Sequence, residues 1–202
     1  MARLALNKAS LSKQARQLKT FERFLPSLDM KRRQLMAEQA RERDAIARTR
    51  QEMHALRDNV AATMPMLANR EVDLSELVSV ESATLGERNV VGTRLPKLES
   101  IEVRVRDYGY LAKPHWVDRL VDELTRMLEL QVGLAVQQRR VDMLDEAARK
   151  VTQRVNLFEK VLIPRAGENI RKIKIYLADA ERAAVVRSKI AKRNRAAQGV
   201  TT

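Results

Sequence analysis

Apolar residues recur every seven positions in two separate ladders, one toward each end of this chain, and very few folds tolerate such a pattern. In residues 1–63 a single heptad frame holds throughout. Its a sites carry Leu4, Leu11, Leu18, Leu25, Ile46, Met53 and Val60, and its d sites Phe21, Leu28, Leu35 and Leu56. The second ladder, Leu120, Met127, Leu134, Val141, Ala148, Val155 and Leu162, takes seven steps without a polar interruption. A seven-residue repeat keeps one stripe turned toward a partner only if helices supercoil, so both ladders predict coiled-coil strands. Two distinct ladders separated by a region of different texture predict that the partners lie in the same chain and pair antiparallel.

Composition agrees with long helices. Ala, Glu, Lys, Arg and Leu make up 104 of 202 residues, whereas Phe, Tyr and Trp together number seven, few for a globule that must fill a three-dimensional core. Cysteine is absent, which excludes disulfides and thiolate metal sites and fits a reducing compartment. The apolar run Leu4 to Leu6 lies between Arg3 and Lys8, too short for a signal sequence. No stretch approaches the ~18 uncharged residues of a membrane span, so a soluble, cytoplasmic protein is expected.

Charge is distributed unevenly. Of a net +13, residues 1–63 carry 14 bases and 7 acids, residues 64–113 carry 7 and 8, and residues 114–202 carry 18 and 11. Arg3, Lys8, Lys13, Arg16 and Lys19 precede the first acid, and Arg182, Arg187, Lys189, Lys192, Arg193 and Arg195 follow the last one. Antiparallel pairing would bring these clusters to one tip and make it seek an acidic partner.

Three segments are expected: a helical arm over 1–64, a small α/β knob with a short β-hairpin over 65–113, and a second arm with a basic tail over 114–202. The first helix is read from about Ser10 to Met64, ended by Pro65 because proline disfavours helix in the residue before it. Pro26 lies inside it and predicts a kink. Between the arms, Val78-Ser79-Val80-Glu81 and Ile101-Glu102-Val103-Arg104-Val105 alternate as short half-exposed strands do, and Val91-Gly92-Thr93 and Tyr108-Gly109-Tyr110 read as turns. The second helix is read from Pro114 to Gln198, interrupted at Pro164 and Gly167. Past that point the ladder resumes one residue late as Ile170, Leu177, Ala184 and Ala191, with Ile173 and Ala180 beside it, which marks a change of winding. If facing residue numbers sum to roughly 190, Pro164 stands level with Pro26.

The chain offers little to chemistry. Gly86 and Gly92 are followed by Thr93-Arg94, so no phosphate-cradling loop of the G-x-x-x-x-G-K-[ST] type is present. His54 and His115 lack ligand spacing, and His54 is read as a solvated surface group. Asp142, Asp145 and Glu146 form an acidic cluster, but Arg149 and Lys150 four residues on predict a salt-bridged face instead of a metal site. No catalytic, cofactor or metal site is expected. Trp116 is expected to pack the second arm against the knob. Arg32, Gln39, Glu42 and Thr49 interrupt the first ladder and are read as hydrated polar layers, a softer stretch or a docking ledge whose replacement by leucine would raise the melting temperature.

The run Thr152-Gln153-Arg154-Val155-Asn156-Leu157-Phe158-Glu159-Lys160-Val161-Leu162-Ile163-Pro164, continued by Glu168-Asn169-Ile170-Arg171-Lys172-Ile173, resembles the D subunit of the V/A-type rotary ATPases. Asn89-Val90-Val91-Gly92-Thr93-Arg94-Leu95-Pro96, Leu28-Asp29-Met30-Lys31-Arg32-Arg33-Gln34-Leu35 and the ending Arg187-Ser188-Lys189-Ile190-Ala191-Lys192 follow that family's pattern in the same order. The resemblance implies a non-catalytic central-stalk shaft peripheral to a membrane. Its partners would be the catalytic and regulatory subunits of the ATPase ring, the small F subunit of the stalk and a socket subunit on the membrane rotor. No direct nucleotide, nucleic-acid or membrane contact would be made. Lys8, Lys13, Arg16, Arg187, Lys189, Lys192 and Arg193 would face the ring, and Leu18, Leu25, Leu28, Leu35, Val155, Leu162, Pro164, Ile170, Ile173 and Leu177 would lock the shaft. The rival readings are a stand-alone basic coiled coil that binds nucleic acid through salt-dependent phosphate contacts, and a scaffolding spacer.

Overall fold

The computed structural model describes residues 4–68, 77–106 and 116–198. Helix α1 runs Lys8–Thr63, strands β1 and β2 run Val78–Val90 and Thr93–Val105, and helices α2 and α3 run Trp116–Leu157 and Ile163–Gln198, joined by a π-helical turn over Phe158–Leu162. The mainly helical class with a central antiparallel hairpin is thus as expected. The chain divides into two compact units, residues 1–30 with 151–202, and residues 31–150. The turn-like Tyr108-Gly109-Tyr110, together with His115 and Pro114, lies outside the described residues.

Helix α1 starts at Lys8, two residues before Ser10, because Asn7 caps it, its Oδ1 accepting the Ser10 amide at 2.7 Å. It ends ahead of Pro65, where a short 3-10 turn over Pro65–Ala68 takes over. Pro26 is carried inside the helix without ending it.

In the first unit the antiparallel order is visible in two contacts. The rings of Phe21 and Phe158 meet edge to face at 5.4 Å, and Asn169 Nδ2 donates to Gln14 Oε1 at 3.4 Å. Val155, Ala166 and Ile173 are buried, whereas Leu18, Leu25, Leu28, Leu162, Ile170 and Leu177 are half-buried, as expected of a two-stranded seam with no third layer. Facing residue numbers total 179 and 183 at those contacts, not 190, so the register expected from sequence is corrected. Pro164 stands opposite the stretch around Gln17 and Phe21, which line one groove with Leu162 and Arg165. It is therefore about nine residues, ~13 Å, from the level of Pro26. The two prolines do not share a bend.

The one-residue slip of the second ladder has a structural cause. Ile163 donates its amide to the carbonyl of Phe158, five residues back, so this turn holds one residue more than an α-turn would. Leu162 and Ile170 are eight apart, and the extra residue is absorbed in the bulge, so that Val155 and Ile173 are buried on either side of it. Proline explains the position, because its ring clashes with the carbonyl four residues back and it donates no hydrogen bond. A wider turn just before Pro164 gives that ring room. Gly167, expected to help break the helix, lies inside α3.

In the second unit, Leu35, Leu56, Leu144 and Ala148 are buried from α1 and α2. At one end of this unit Met64, Leu77, Val117, Leu120 and Val121 form a cluster, with Val60, Val78, Leu124 and Trp116 packed on it. Trp116 thus packs α2 against the base of the hairpin, as its position suggested. The strands are longer than the alternation predicted because bulges between Val80 and Ser82 and between Thr84 and Leu85 shift the register, so the apolar residues change face along the hairpin. The turn is Val91-Gly92, both with positive φ at 51° and 77°, which suits the right-handed twist of the strands. For the β-branched Val91 this conformation is unfavourable by about 1–2 kcal/mol. Asn89 Oδ1 accepts the Gly92 amide at 2.9 Å and helps to hold it.

If the π turn exists to rephase the ladder, deleting Lys160 together with P164A should give a continuous α-helix with the seam still in phase, and the melting temperature should change by only a few degrees. Deleting Arg139 instead rotates every apolar residue beyond it by about 100° and should lower the melting temperature by more than ~10 °C. Equal melting temperatures for the two deletions would contradict the phase argument.

Candidate interaction surfaces of the helical pairs

The basic residues picked out by sequence are placed differently from expectation. Lys8 and its neighbours Leu11 and Ala15 line one groove with Lys174, Leu177 and Glu181. The first cluster therefore lies across from the middle of α3, and the two basic groups follow each other along α3 instead of facing each other. Residues 182–195 are exposed throughout. Within them Val185 and Val186, each 54% exposed, and Ile190 sit among Arg187, Lys189, Lys192, Arg193 and Arg195. The ladder residues Ala184 and Ala191 belong to this uncovered stretch. Lys8, Lys13, Arg16, Arg187, Lys189, Lys192 and Arg193 make no side-chain ion pair or hydrogen bond among the described residues. Their charges are available to a partner.

Two of the polar interruptions of the first ladder, Gln39 and Glu42, are buried, while Arg32 and Thr49 are half-buried. Gln39 and Glu42 are each 8% exposed, and both bond across to α2. Gln39 donates to Asp145, whose other oxygen lies 3.4 Å from Arg43 Nη2. Glu42 pairs with Arg140 at 3.2 Å, and Thr49 Oγ1 meets Gln137 Oε1 at 3.2 Å. Facing numbers here total 182–186. Sequence reading went wrong because a polar residue at a seam position looks wet until its partner on the other helix is known. Their partners Arg140, Asp145 and Gln137, of which the sequence singled out only Asp145, and that for a different pairing, lie at matching heights on α2. With Glu42 and Gln39 buried and bonded, neither serves as a docking ledge.

The acidic cluster resolves as a set of separate pairs. Glu146 accepts Lys150 Nζ at 2.5 Å, and this hydrogen bond with its Coulombic attraction holds the exposed carboxyl below the ordinary glutamate range. Asp145, expected to pair with Arg149, reaches α1 instead. Among the described residues no group of three or more His, Asp or Glu is placed to hold a metal ion, and His54 is exposed. No described helix is long and apolar enough to cross a membrane.

Replacing Glu42 alone by leucine leaves Arg140 charged, largely buried and unpaired, a change that typically costs about 3–5 kcal/mol. The melting temperature of Glu42→Leu should therefore fall by roughly 10 °C or more, reversing what the hydrated-layer reading predicted. A rise, followed by circular dichroism, would show that the ion pair is dispensable.

Residues 10–193 match the family model that describes the D subunit of ATP synthase. The chain is 35% identical over 192 residues to the V-type ATP synthase D subunit of Borreliella burgdorferi, covering 95% of each chain. It is 28% identical to the V-type ATP synthase D subunit of Chlamydia muridarum and 27% identical to that of Chlamydia trachomatis, each time over 95% of this chain and 96% of the relative. A full-length match of this kind, on a chain whose ends pair as antiparallel helices and whose middle is a β-hairpin, shows that the chain belongs to the ATP synthase D-subunit family.

Proposed function

We propose that the chain is the shaft of the central stalk in a V-type ATP synthase, a non-catalytic subunit that carries torque between the catalytic ring and the ion-translocating rotor in the membrane. The observation that carries this reading is the antiparallel pairing of two heptad ladders from one chain. Two helices locked by interdigitated side chains resist twist better than one helix does, and torque transmission asks for that resistance. A two-stranded shaft also lacks threefold symmetry. Turning inside a ring of three catalytic interfaces, it meets each one differently, and differential contact is what shifts a site from one conformation to another.

The uncovered end of α3 is the part assigned to the ring. A lone helix of 14 residues, ~21 Å long, is marginal in water, and this one exposes valine and isoleucine beside its bases. Insertion into a bore lined with apolar groups and carboxylates would cover the first and pair the second. Charge contacts of that kind are non-directional and exchange readily as a shaft turns. The small F subunit of the stalk, clasping the helical pair, and a socket subunit at the membrane rotor complete the expected partners, which makes the chain a peripheral component of a membrane complex. The nucleic-acid reading gains nothing further, since its support was the basic excess, and the densest acid-free run of bases lies at the helix end that a ring would enclose.

Replacing Lys8, Lys13, Lys189 and Lys192 together by glutamine should leave helicity unchanged, weaken assembly with the ring by at least ~10-fold and make the remaining assembly less sensitive to salt. Native mass measurement and ATP turnover read the outcome, and unchanged affinity and turnover would refute the assignment.

A further inference from the structure

The hairpin needs an anchor that its own residues do not supply. An isolated two-stranded hairpin is marginally stable in water, and most of β1 and β2 is exposed. It is held at two separate places. Its base enters the Met64, Leu77 and Val117 cluster, while near its turn Val90 and Leu95 are buried. Between these points Val80 and Leu85 are 38% and 53% exposed. The tip lies beside α1, with Arg88 Nη2 3.8 Å from Glu38 Oε1 and with Lys31 Nζ 3.3 Å from the point where a Cβ on Gly92 would sit. From Val60 back to Lys31–Glu38 the helix rises ~35–45 Å, and twelve strand residues span ~40 Å, so the hairpin is fully extended between its fastenings.

At the tip, three elements converge on one side chain. Arg140 of α2 donates through Nε to the carbonyl of Pro96 in β2 at 2.6 Å, and through Nη1 to Glu42 of α1 at 3.2 Å. The side chains of Arg140 and Glu42 are only 17% and 10% exposed, so solvent screens this junction weakly. The guanidinium suits the task, since its donors point in fixed, divergent directions and one group serves two acceptors on different elements. The carbonyl it binds is one that the antiparallel ladder leaves to the outer side of β2.

We infer that Arg140 is a positioning residue, a clasp that holds the hairpin tip to both helices so that the hairpin and the helical pair beside it turn as one body. The ion pair with Glu42 orients the guanidinium, and the bond to Pro96 fixes the hairpin at one azimuth. Without the clasp the base stays anchored by its apolar cluster, while the tip, left with Val90, Leu95 and the Arg88–Glu38 pair, loses the bond that fixes its azimuth and moves over a wider range of distances from α1.

The absence of cysteine allows a clean test. Spin labels at Ala47→Cys on α1 and Glu87→Cys in the hairpin, both exposed positions, report the tip-to-helix distance in the full chain. Arg140→Gln with Glu42→Gln removes the clasp without leaving a buried charge, and Arg140→Lys keeps a cation beside Glu42 but loses the fork. In both, the distance distribution should widen at least twofold and shift outward. Emission of the single tryptophan, Trp116 at the hairpin base, should stay at its original wavelength, and helicity should be unchanged. A distribution as narrow as the parent's in both variants would overturn the inference. So would a widening accompanied by an equal loss of Trp116 packing and helicity, because that would mark Arg140 as a general stabiliser.

Discussion

Phase is the constraint on which the structure depends. A two-stranded helical seam exists only while each apolar residue returns to the same side of its helix, and there is no second layer of core to rescue one that does not. In the first unit the consequence is plain: Leu18, Leu25 and Leu177 are only half-buried even where pairing is complete, so stability rests on many modest contacts in register. The π turn over Phe158–Leu162 follows from this. Proline at 164 forces a distortion, and the extra residue in the wider turn is matched by an eight-residue step in the ladder. The edge-to-face contact of Phe21 with Phe158, of a kind worth about 0.5–1.5 kcal/mol beyond area burial, lies at the start of that turn.

In the second unit the seam is polar where it meets the hairpin. Gln39, Glu42 and Thr49 would each cost stability if buried alone, but Asp145, Arg140 and Gln137 answer them across the pair. Such layers bind less tightly than leucine would and are more exacting about register, because a shift of one turn strands every group at once. The same Arg140 that satisfies Glu42 also serves the hairpin. Register of the helices and placement of the strands are therefore set at one point.

Much of this was legible from residues alone. Heptads do not depend on distant context, so both ladders, the helix ends at Met64-Pro65 and the slip before Ile170 could be read directly. The Val91-Gly92 turn was readable because glycine there has a local conformational reason. Relations between distant residues were not legible. The facing register was set some seven residues too high because apolar ladders fix the phase of each helix but leave their sliding undetermined; the polar pairs decide it. The bulges hid most of β1 by breaking its alternation. The basic side chains proposed to face the ring were picked out by charge counting, but their succession along α3 depends on where α1 begins, which the Asn7 cap settles.

The central claim is that the two ends of one chain pair head to tail. A double variant, Gln14→Cys with Asn169→Cys, tests it in an otherwise cysteine-free protein, since those side chains meet at 3.4 Å. Mild oxidation should produce a disulfide within one chain, seen as a monomer mass with peptides 14 and 169 joined. Cross-links found only between two chains, or none at all, would contradict the pairing and with it the shaft.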